Sequence, residues 1–347
     1  MELSPQKQFI LENSNDRTVV IASAASGKTA LLTEKVRQLI RSGQDLSRMA
    51  VITFTNMAAG ELRKRLDKDD KPGLFIGTIH SLANYFLMSS GIQTSKVIEN
   101  ENFDELFELV QEHPECVKPM DWIILDEAQD SSYIQFEFLF EMIAPEHFFV
   151  VGDPKQSIYQ WNKGDPRLLK NLAREFGVET FDLNENYRNG ANILSYAKRI
   201  TRRAGNEDHS ICMTDWNSTI LESDFNPKKF VDLIQSNPPY KEWAILTRTN
   251  AEANEMAIVL SRANIPFDTF KQGDLTNEQL GTKMKQDTVK ILTIHSAKGL
   301  EWDNVIVIGT RFNANEEINV CYVAATRARK FLIWSKGISK KARITRW

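Results

Sequence analysis

At about 150 residues per domain, a chain of 347 residues has room for two, and 42% hydrophobic against 26% charged residues is an ordinary globular composition with material for sizeable cores. The 43 Lys and Arg residues nearly balance 46 Asp and Glu, for a formal net charge of −3. This excludes a histone-like polycation and confines any nucleic-acid site to a local groove. Cys116, Cys212 and Cys321 are far apart with no C-x-x-C pair, which excludes a disulfide framework and argues against a cysteine-held metal. The opening MELSPQKQ lacks a signal-peptide core, and no apolar run approaches the roughly 18 residues that span a bilayer, so a cytoplasmic protein with no membrane association is expected.

In chain order, short apolar runs recur at TVVIA (18–22), AVITF (50–54), WIIL (122–125), FFVV (148–151), AIL (244–246), KILTI (290–294), VIVI (305–308) and FLIW (331–334). Continuous runs rich in β-branched residues and bounded by turn signals predict strands buried on both faces. Between them, KTALLTEKVRQLI (28–40), AAGELRKRL (58–66), NILSYAKRI (192–200) and AEANEMAIVLSRA (251–263) carry helical spacing. Strands alternating with helices predict parallel α/β sheets. The glycine in EFGVET (175–180) marks a boundary, giving one domain over 1–178 with a small helical insertion at about 83–120, a second over 179–335, and a basic tail at 336–347.

The segment TVVIASAASGKTALL (18–32) reads as strand, small-residue loop, then Gly27-Lys28-Thr29 opening a helix. Backbone N–H groups of such a loop point at phosphate, with Ser26 and Gly27 part of the cradle; Lys28 reaches the β/γ oxygens and Thr29 ligates Mg²⁺. The strict pattern wants glycine at position 22, where this chain has Ala22. WIILDEAQD (122–130) delivers Asp126 and Glu127 at the C-terminal end of a buried strand, where open α/β sheets bind ligands. Asp126 is placed to hold Mg²⁺, and Glu127 to orient or deprotonate the attacking water. The bland alternative, a carboxylate pair capping the next helix, is disfavoured by the phosphate loop about one hundred residues upstream.

DEAQD resembles motif II of the UvrD/Rep family of superfamily 1 DNA helicases, and further family motifs follow in order. VITFTNMAAGELRKR (51–65) resembles motif Ia, GTIHSL (77–82) Ib, VGDPKQSIYQW (151–161) III, LNENYRN (183–189) IV, AILTRTN (244–250) the stretch after IV, ILTIHSAKGLEWD (291–303) V, and VCYVAATRARK (320–330) VI. LSPQKQFI (3–10) is similar to the N-terminal glutamine motif, so the resemblance runs from Leu3 to Lys330.

The resemblance implies two RecA-like P-loop NTPase domains with ATP and Mg²⁺ between them. Arg188 and Arg327 would neutralise charge on the γ-phosphate, and Gln156 would sense it. Gln6, with Gln8 as the second register, would read adenine, Tyr187 would stack on it and Glu301 would hold the ribose. Bases of single-stranded DNA would stack on Phe54, Tyr159 and Trp161, with core packing as the alternative for each. Asn56 belongs to the same DNA-binding set; Thr78 and His80, with Thr293 and His295 in a second TIHS string, would grip phosphates, as would Arg248 unless it makes a surface ion pair. The implied activity is an ATP-dependent single-stranded DNA translocase or helicase moving 3′ to 5′. The alternatives are a motor subunit of a helicase–nuclease or defence complex, with a nuclease or repair factor as partner, and a non-hydrolysing scaffold.

The chain departs from the family at Ala25, where glycine is usual, at Ala30, where arginine occurs near the base, and at Asn162, where arginine follows the tryptophan. A left-handed backbone at Ala25 would cost about 1–2 kcal/mol. Only 46 residues separate His80 from Asp126 and 107 separate Arg188 from His295, leaving a small helical remnant, SLANYFLM and ENFDELFELVQEH, in place of the first large insertion and nothing in place of the second. Translocation is therefore expected to survive better than strand separation. With about seventeen residues after Lys330, no fused nuclease domain is expected.

Overall fold

The computed structural model describes residues 3–66, 71–100, 102–159, 164–165, 167–203, 205, 207–270, 275–309 and 315–335. Trp161, Asn162 and the basic tail lie outside the described residues. Two compact units are present, one comprising Met1–Ala22 and Ser26–Leu183, the other Ser23–Ala25 and Asn184–Trp347.

The first unit is built on β1 (Arg17–Ala22), β2 (Met49–Ile52), β3 (Phe75–Gly77), β4 (Trp122–Leu125), β5 (His147–Gly152) and β6 (Thr180–Leu183). They form one parallel sheet in the order β3-β2-β4-β5-β1-β6. Successive side chains of each strand divide between two cores: Val19, Ile123, Leu125, Phe148 and Val150 face one, while Val20, Trp122, Ile124, Phe149 and Val151 face the other. Burial on both faces is why these strands read as unbroken apolar runs. Around the sheet lie α1 (Pro5–Asn13), α2 (Lys28–Arg41), α3 (Asn56–Arg65), α4 (Ile79–Ser89), α5 (Ser95–Glu99), α6 (Glu105–Glu112), α7 (Tyr133–Glu137) and α8 (Arg167–Glu175).

Helices α4 and α6 occupy the two stretches expected of the small insertion. An aromatic cluster fixes them: Phe86 of α4 and Phe107 of α6 meet Phe138 with ring centroids 6.1 and 5.4 Å apart. The chain leaves this unit at Leu183 rather than at residue 178, because Thr180–Leu183 pairs with β1 from Val19↔Thr180 to Ala22↔Leu183. As an edge strand with Asp182 exposed, β6 lacks the apolar run that betrays a central strand.

In the second unit, β7 (Glu185–Asn186) and β8 (Ile211–Cys212) make a small parallel pair. The main sheet holds β9 (Thr219–Ser223), β10 (Trp243–Thr247), β11 (Phe267–Thr269), β12 (Val289–Thr293), β13 (Trp302–Ile308) and β14 (Ala328–Ser335), all parallel, in the order β11-β12-β10-β13-β14-β9. Its helices are α9 (Ala191–Arg202), α10 (Pro227–Ser236), α11 (Asn250–Arg262), α12 (Asn277–Lys285) and α13 (Asn315–Ala325). Among the described residues no helix is long and apolar enough to cross a membrane.

Phe107 is fully buried between the insertion and the sheet. Phe107→Ala is expected to destabilise the first unit by about 3–5 kcal/mol, the usual cost of emptying an aromatic site, read as an earlier urea midpoint.

Candidate nucleotide and nucleic-acid sites

Where β1 ends, the chain turns through residues 23–27 and enters α2 at Lys28. Gly27 is the N-cap, with φ 82° and no side-chain cap, a backbone that L-residues avoid and glycine adopts freely. Ala25 is also left-handed, at φ 57°, so the departure from glycine does place a β-carbon in a disfavoured conformation. Ser26 is fully buried and its Oγ has no hydrogen-bond partner. An orphaned hydroxyl beside a helix N-terminus fits a ligand supplying acceptor oxygens, as a phosphate chain does.

Facing the loop, β4 delivers Asp126, which is buried and accepts from Thr29 Oγ1 at 3.3 Å and from the Glu127 backbone N–H at 2.9 Å. Burial, then the Glu127 carboxylate, pushes the Asp126 pKa well above the usual carboxylate range, while Lys28 opposes the shift. A divalent cation on Thr29 and Asp126 would hold that carboxylate ionised. Among the described residues no group of three or more His, Cys, Asp or Glu gathers as a metal cage.

Glu127 sits at φ 53°, left-handed without being glycine, and its Oε2 lies 3.4 Å from Lys28 Nζ. Sparsely populated backbone of this kind gathers at functional sites. The same oxygen accepts from Gln129 Nε2 at 2.5 Å, and Gln129 Oε1 accepts from Asp153 N at 2.8 Å. Asp153 Oδ2 in turn accepts from Gln156 Nε2 at 2.7 Å. A continuous polar chain thus joins Lys28 to Gln156 across the C-terminal ends of β4 and β5. Gly152 is required there, since a β-carbon on it would stand 2.8 Å from Gln129 Oε1. Gln129 and Asp153 are residues that motif reading passed over; the signal for them is a polar residue just past the end of a buried strand.

The second unit orders its arginines through two buried asparagines. Asn186 Oδ1 accepts from the backbone N–H of Arg188 at 3.0 Å and of Asn189 at 2.8 Å. Asn189 Nδ2 donates to Thr326 O at 3.2 Å and Ala328 O at 2.5 Å, so the NYRN turn and the TRA segment are pinned on one another. Arg188 is paired with Glu301 through its Nε, and its Nη1 donates to Thr326 O at 3.3 Å. Arg327 is buried, with Nε donating to Val323 O at 3.0 Å and Nη1 to Leu300 O at 3.2 Å. Tyr187 bonds Glu185 Oε2 at 3.0 Å through its hydroxyl and is 42% exposed, which leaves ring surface available for stacking.

Of the residues expected to meet DNA, Phe54 and Tyr159 stack on each other, with centroids 5.0 Å apart and planes 25° apart. Burial, then Asp130 and Glu127, drives the Tyr159 phenol pKa upward, so the ring stays neutral. Thr78 caps α4, its Oγ1 accepting from Ser81 N at 3.2 Å. Thr293 repeats the arrangement at the end of β12, accepting from Ser296 N at 3.3 Å. His80 packs against the Phe103 and Phe107 rings at 5.7 and 5.2 Å, and its Nε2 lies 3.3 Å from Gln135 Nε2. Burial pulls its pKa below the ordinary value against the pull of Asp104, so this imidazole is neutral at pH 7 and could act toward an anion only as a hydrogen-bond partner. His295 is half-buried; Asn56 opens α3 at the surface, and Arg248 follows β10 with its backbone N–H held by Glu252 at 3.0 Å.

At the N-terminus, Gln6 Nε2 donates to Asp182 O at 3.1 Å and Gln8 Nε2 to Leu3 O at 3.3 Å. The residue on the phosphate loop is Lys7, whose Cε comes within 3.0 Å of where a Gly27 β-carbon would lie.

Loop, lysine and acidic strand end define a P-loop nucleotide-binding fold. A family model described as an AAA domain matches residues 6–162, and one described as a UvrD-like helicase C-terminal domain matches residues 271–337. A probable DNA helicase of Mycoplasma pneumoniae is 24% identical over 95% of this chain and 82% of its own length. The ATP-dependent DNA helicase Rep of Escherichia coli is 25% identical over 77% of this chain and 55% of its own, and DNA helicase II of Haemophilus influenzae 22% identical over 73% and 49%. The chain thus spans about half the length of Rep and helicase II. In sequence the chain is thus similar to proteins named as DNA helicases of the UvrD and Rep kind.

Ala25→Gly removes the left-handed β-carbon while freeing the unfolded chain, and is expected to stabilise the protein by about 1 kcal/mol net, read as a higher melting temperature without nucleotide.

Proposed function

We propose that the chain is an ATP-hydrolysing motor that moves on single-stranded DNA and separates tailed duplexes weakly. The observation that carries this reading is the polar chain from Lys28 through Glu127, Gln129 and Asp153 to Gln156, with Thr29 and Asp126 beside it. Lys28 and the loop N–H groups bind the phosphates of ATP, Thr29 and Asp126 hold Mg²⁺, and Mg²⁺ when bound supplies charge to the phosphate oxygens. Glu127 takes a proton from the water that attacks the γ-phosphorus, and the bond to the ADP oxygen breaks. Gln156, at the far end of the chain of hydrogen bonds, registers whether the γ-phosphate is present. Arg188 and Arg327 are assigned to the charge that builds on the transferred group, with Asn186 and Asn189 as the residues that aim them.

The DNA side rests on Phe54, Asn56, Thr78, His80, Tyr159, Trp161, Arg248, Thr293 and His295, and the 3′-to-5′ direction on the family resemblance. Weak unwinding is assigned from the short spacings between motifs. The alignment with the Mycoplasma pneumoniae relative runs over 449 positions against 347 residues here, so over a hundred of its positions face nothing in this chain. A nuclease or repair factor that supplies the missing functions is the partner this reading calls for.

The test is ATP turnover with and without single-stranded DNA, together with strand displacement on 3′-tailed and 5′-tailed duplexes. DNA-stimulated turnover is expected in the wild type, falling about 100-fold or more in Glu127→Gln with nucleotide binding retained. Turnover equal in wild type and Glu127→Gln would overturn the assignment, and displacement solely from 5′ tails would reverse the polarity.

A further inference from the structure

Thr53 leaves β2 with its hydroxyl unmatched. The residue is 1% exposed, and its Oγ1 has no hydrogen-bond partner among the described residues. Threonines buried as deeply elsewhere, Thr18, Thr201 and Thr326, each donate to a backbone carbonyl, at 2.9, 3.0 and 2.9 Å. A bare buried hydroxyl costs free energy and asks for an explanation. The chain itself shows that this one could have been satisfied locally. The string T-x-T-N occurs as TFTN (53–56) after β2 and as TRTN (247–250) at the end of β10. In both, the second threonine caps the following helix, Thr55 accepting from Ala58 N at 3.1 Å and Thr249 from Glu252 N at 3.2 Å. Thr247 Oγ1 then donates to Thr249 O at 3.0 Å, a bond that Thr53 does not make to Thr55.

What stands beside Thr53 differs. Strands β2 and β4 pair with Ile52 opposite Leu125, and the ladder continues one step further: Asp126 N donates to Ile52 O at 2.8 Å and Thr53 N to Gly77 O at 3.0 Å. Thr53 and Asp126 are thus neighbours on adjacent strands, which run about 4.8 Å apart. They also share a face. Ile52 and Leu125 point into one core and Val51 and Ile124 into the other, so alternation sends Thr53 and Asp126 to the second side, where α2 packs through Leu31, Leu32 and Val36. Thr29, the second residue of α2, reaches Asp126 Oδ2 from that side. The bare hydroxyl therefore stands next to the carboxylate assigned to Mg²⁺ without bonding to it, for the Asp126 oxygens accept from Thr29 Oγ1 and Glu127 N.

We infer that the Thr53 hydroxyl holds a hydration water of the Mg²⁺ ion, so that Thr53 joins Thr29 and Asp126 in orienting the ion's shell. Mg²⁺ dehydrates reluctantly and keeps several waters, whose protons need acceptors around the ion. Groups that take such bonds tune a metal site without touching the metal. A hydroxyl has two lone pairs to accept with and one proton to donate, and this one is fixed at a strand end on the ligand side of the sheet. Packing alone does not call for it, since valine fills the same space with no polar atom. The inference rests on the nucleotide and Mg²⁺ site proposed above and adds a residue to it.

Calorimetric binding of the non-hydrolysable ATP analogue adenylyl imidodiphosphate, in Mg²⁺ and in EDTA, to the wild type, Thr53→Val and Thr53→Ser tests it, together with melting curves of the nucleotide-free proteins. Mg²⁺ is expected to tighten binding to the wild type. Thr53→Val is expected to bind about tenfold more weakly in Mg²⁺ and within about twofold of the wild type in EDTA. Thr53→Ser, which keeps the hydroxyl, stays within about threefold in both. Without nucleotide, Thr53→Val melts no lower than the wild type, because it removes an unmatched polar atom and keeps the volume. A Thr53→Val that retains the full Mg²⁺ effect, or that loses affinity equally in Mg²⁺ and in EDTA, would overturn the inference. So would one that melts well below the wild type or fails to fold, which would make the hydroxyl a structural one. A wild type that binds the analogue without regard to Mg²⁺ would bring down the cation assignment, and one that does not bind it at all would bring down the nucleotide site, each taking the role of Thr53 with it.

Discussion

A buried lysine needs a counter-charge, and in the first unit Glu127 provides it for Lys28 at 3.4 Å. Much else at the site follows from keeping that carboxylate where it is. Its backbone is held left-handed, its Oε2 is bound by Gln129, and Gln129 is locked by Asp153 in a space that exists because residue 152 has no side chain. Under the proposed function an arriving phosphate would compete with Glu127 for the lysine and so bear on the bonds that lead to Gln156. Breaking such a pair from one side leaves a desolvated charge.

Central strands and amphipathic helices were legible in the sequence because burial on two faces, or on one stripe, writes itself into residue order. Hidden from such reading are the small pair Glu185–Asn186 and Ile211–Cys212 and the four edge strands of the two large sheets, Phe75–Gly77, Thr180–Leu183, Thr219–Ser223 and Phe267–Thr269, which are short or partly exposed. The boundary at Leu183 was displaced for the same reason. At the site, Lys28, Thr29, Asp126 and Glu127 are legible because each stands just past a strand end, while Gln156 is legible through the family resemblance alone. Gln129, Asp153, Asn186 and Asn189 could not, since their work is to bond backbone and neighbouring side chains whose proximity arises from the sheet. Gln6 follows from the similarity to the glutamine motif, while helix periodicity directs Lys7, not Gln6, inward.

The repeated TIHS string has a local explanation that motif reading did not supply. In both units the threonine follows or ends a strand of the sheet and binds the backbone N–H of the serine three residues on, at 3.2 and 3.3 Å. The device satisfies a donor that the turn would otherwise leave bare. It also sets the direction in which the intervening histidine leaves the backbone, so a structural role for Thr78 and Thr293 and a contact role for His80 and His295 are compatible. The shared string and the two six-stranded parallel sheets describe related units.

The Phe54–Tyr159 stack bears on how firmly a strand can be held. Each ring already spends one face on the other, so an incoming base either settles for an outer face or must first prise the couple apart. Under the proposed function the protein's own aromatics would be rivals to its DNA, which would lower the hold on any single nucleotide. For a motor of the proposed kind, which would advance by releasing what it has just gripped, a weak embrace is easier to undo.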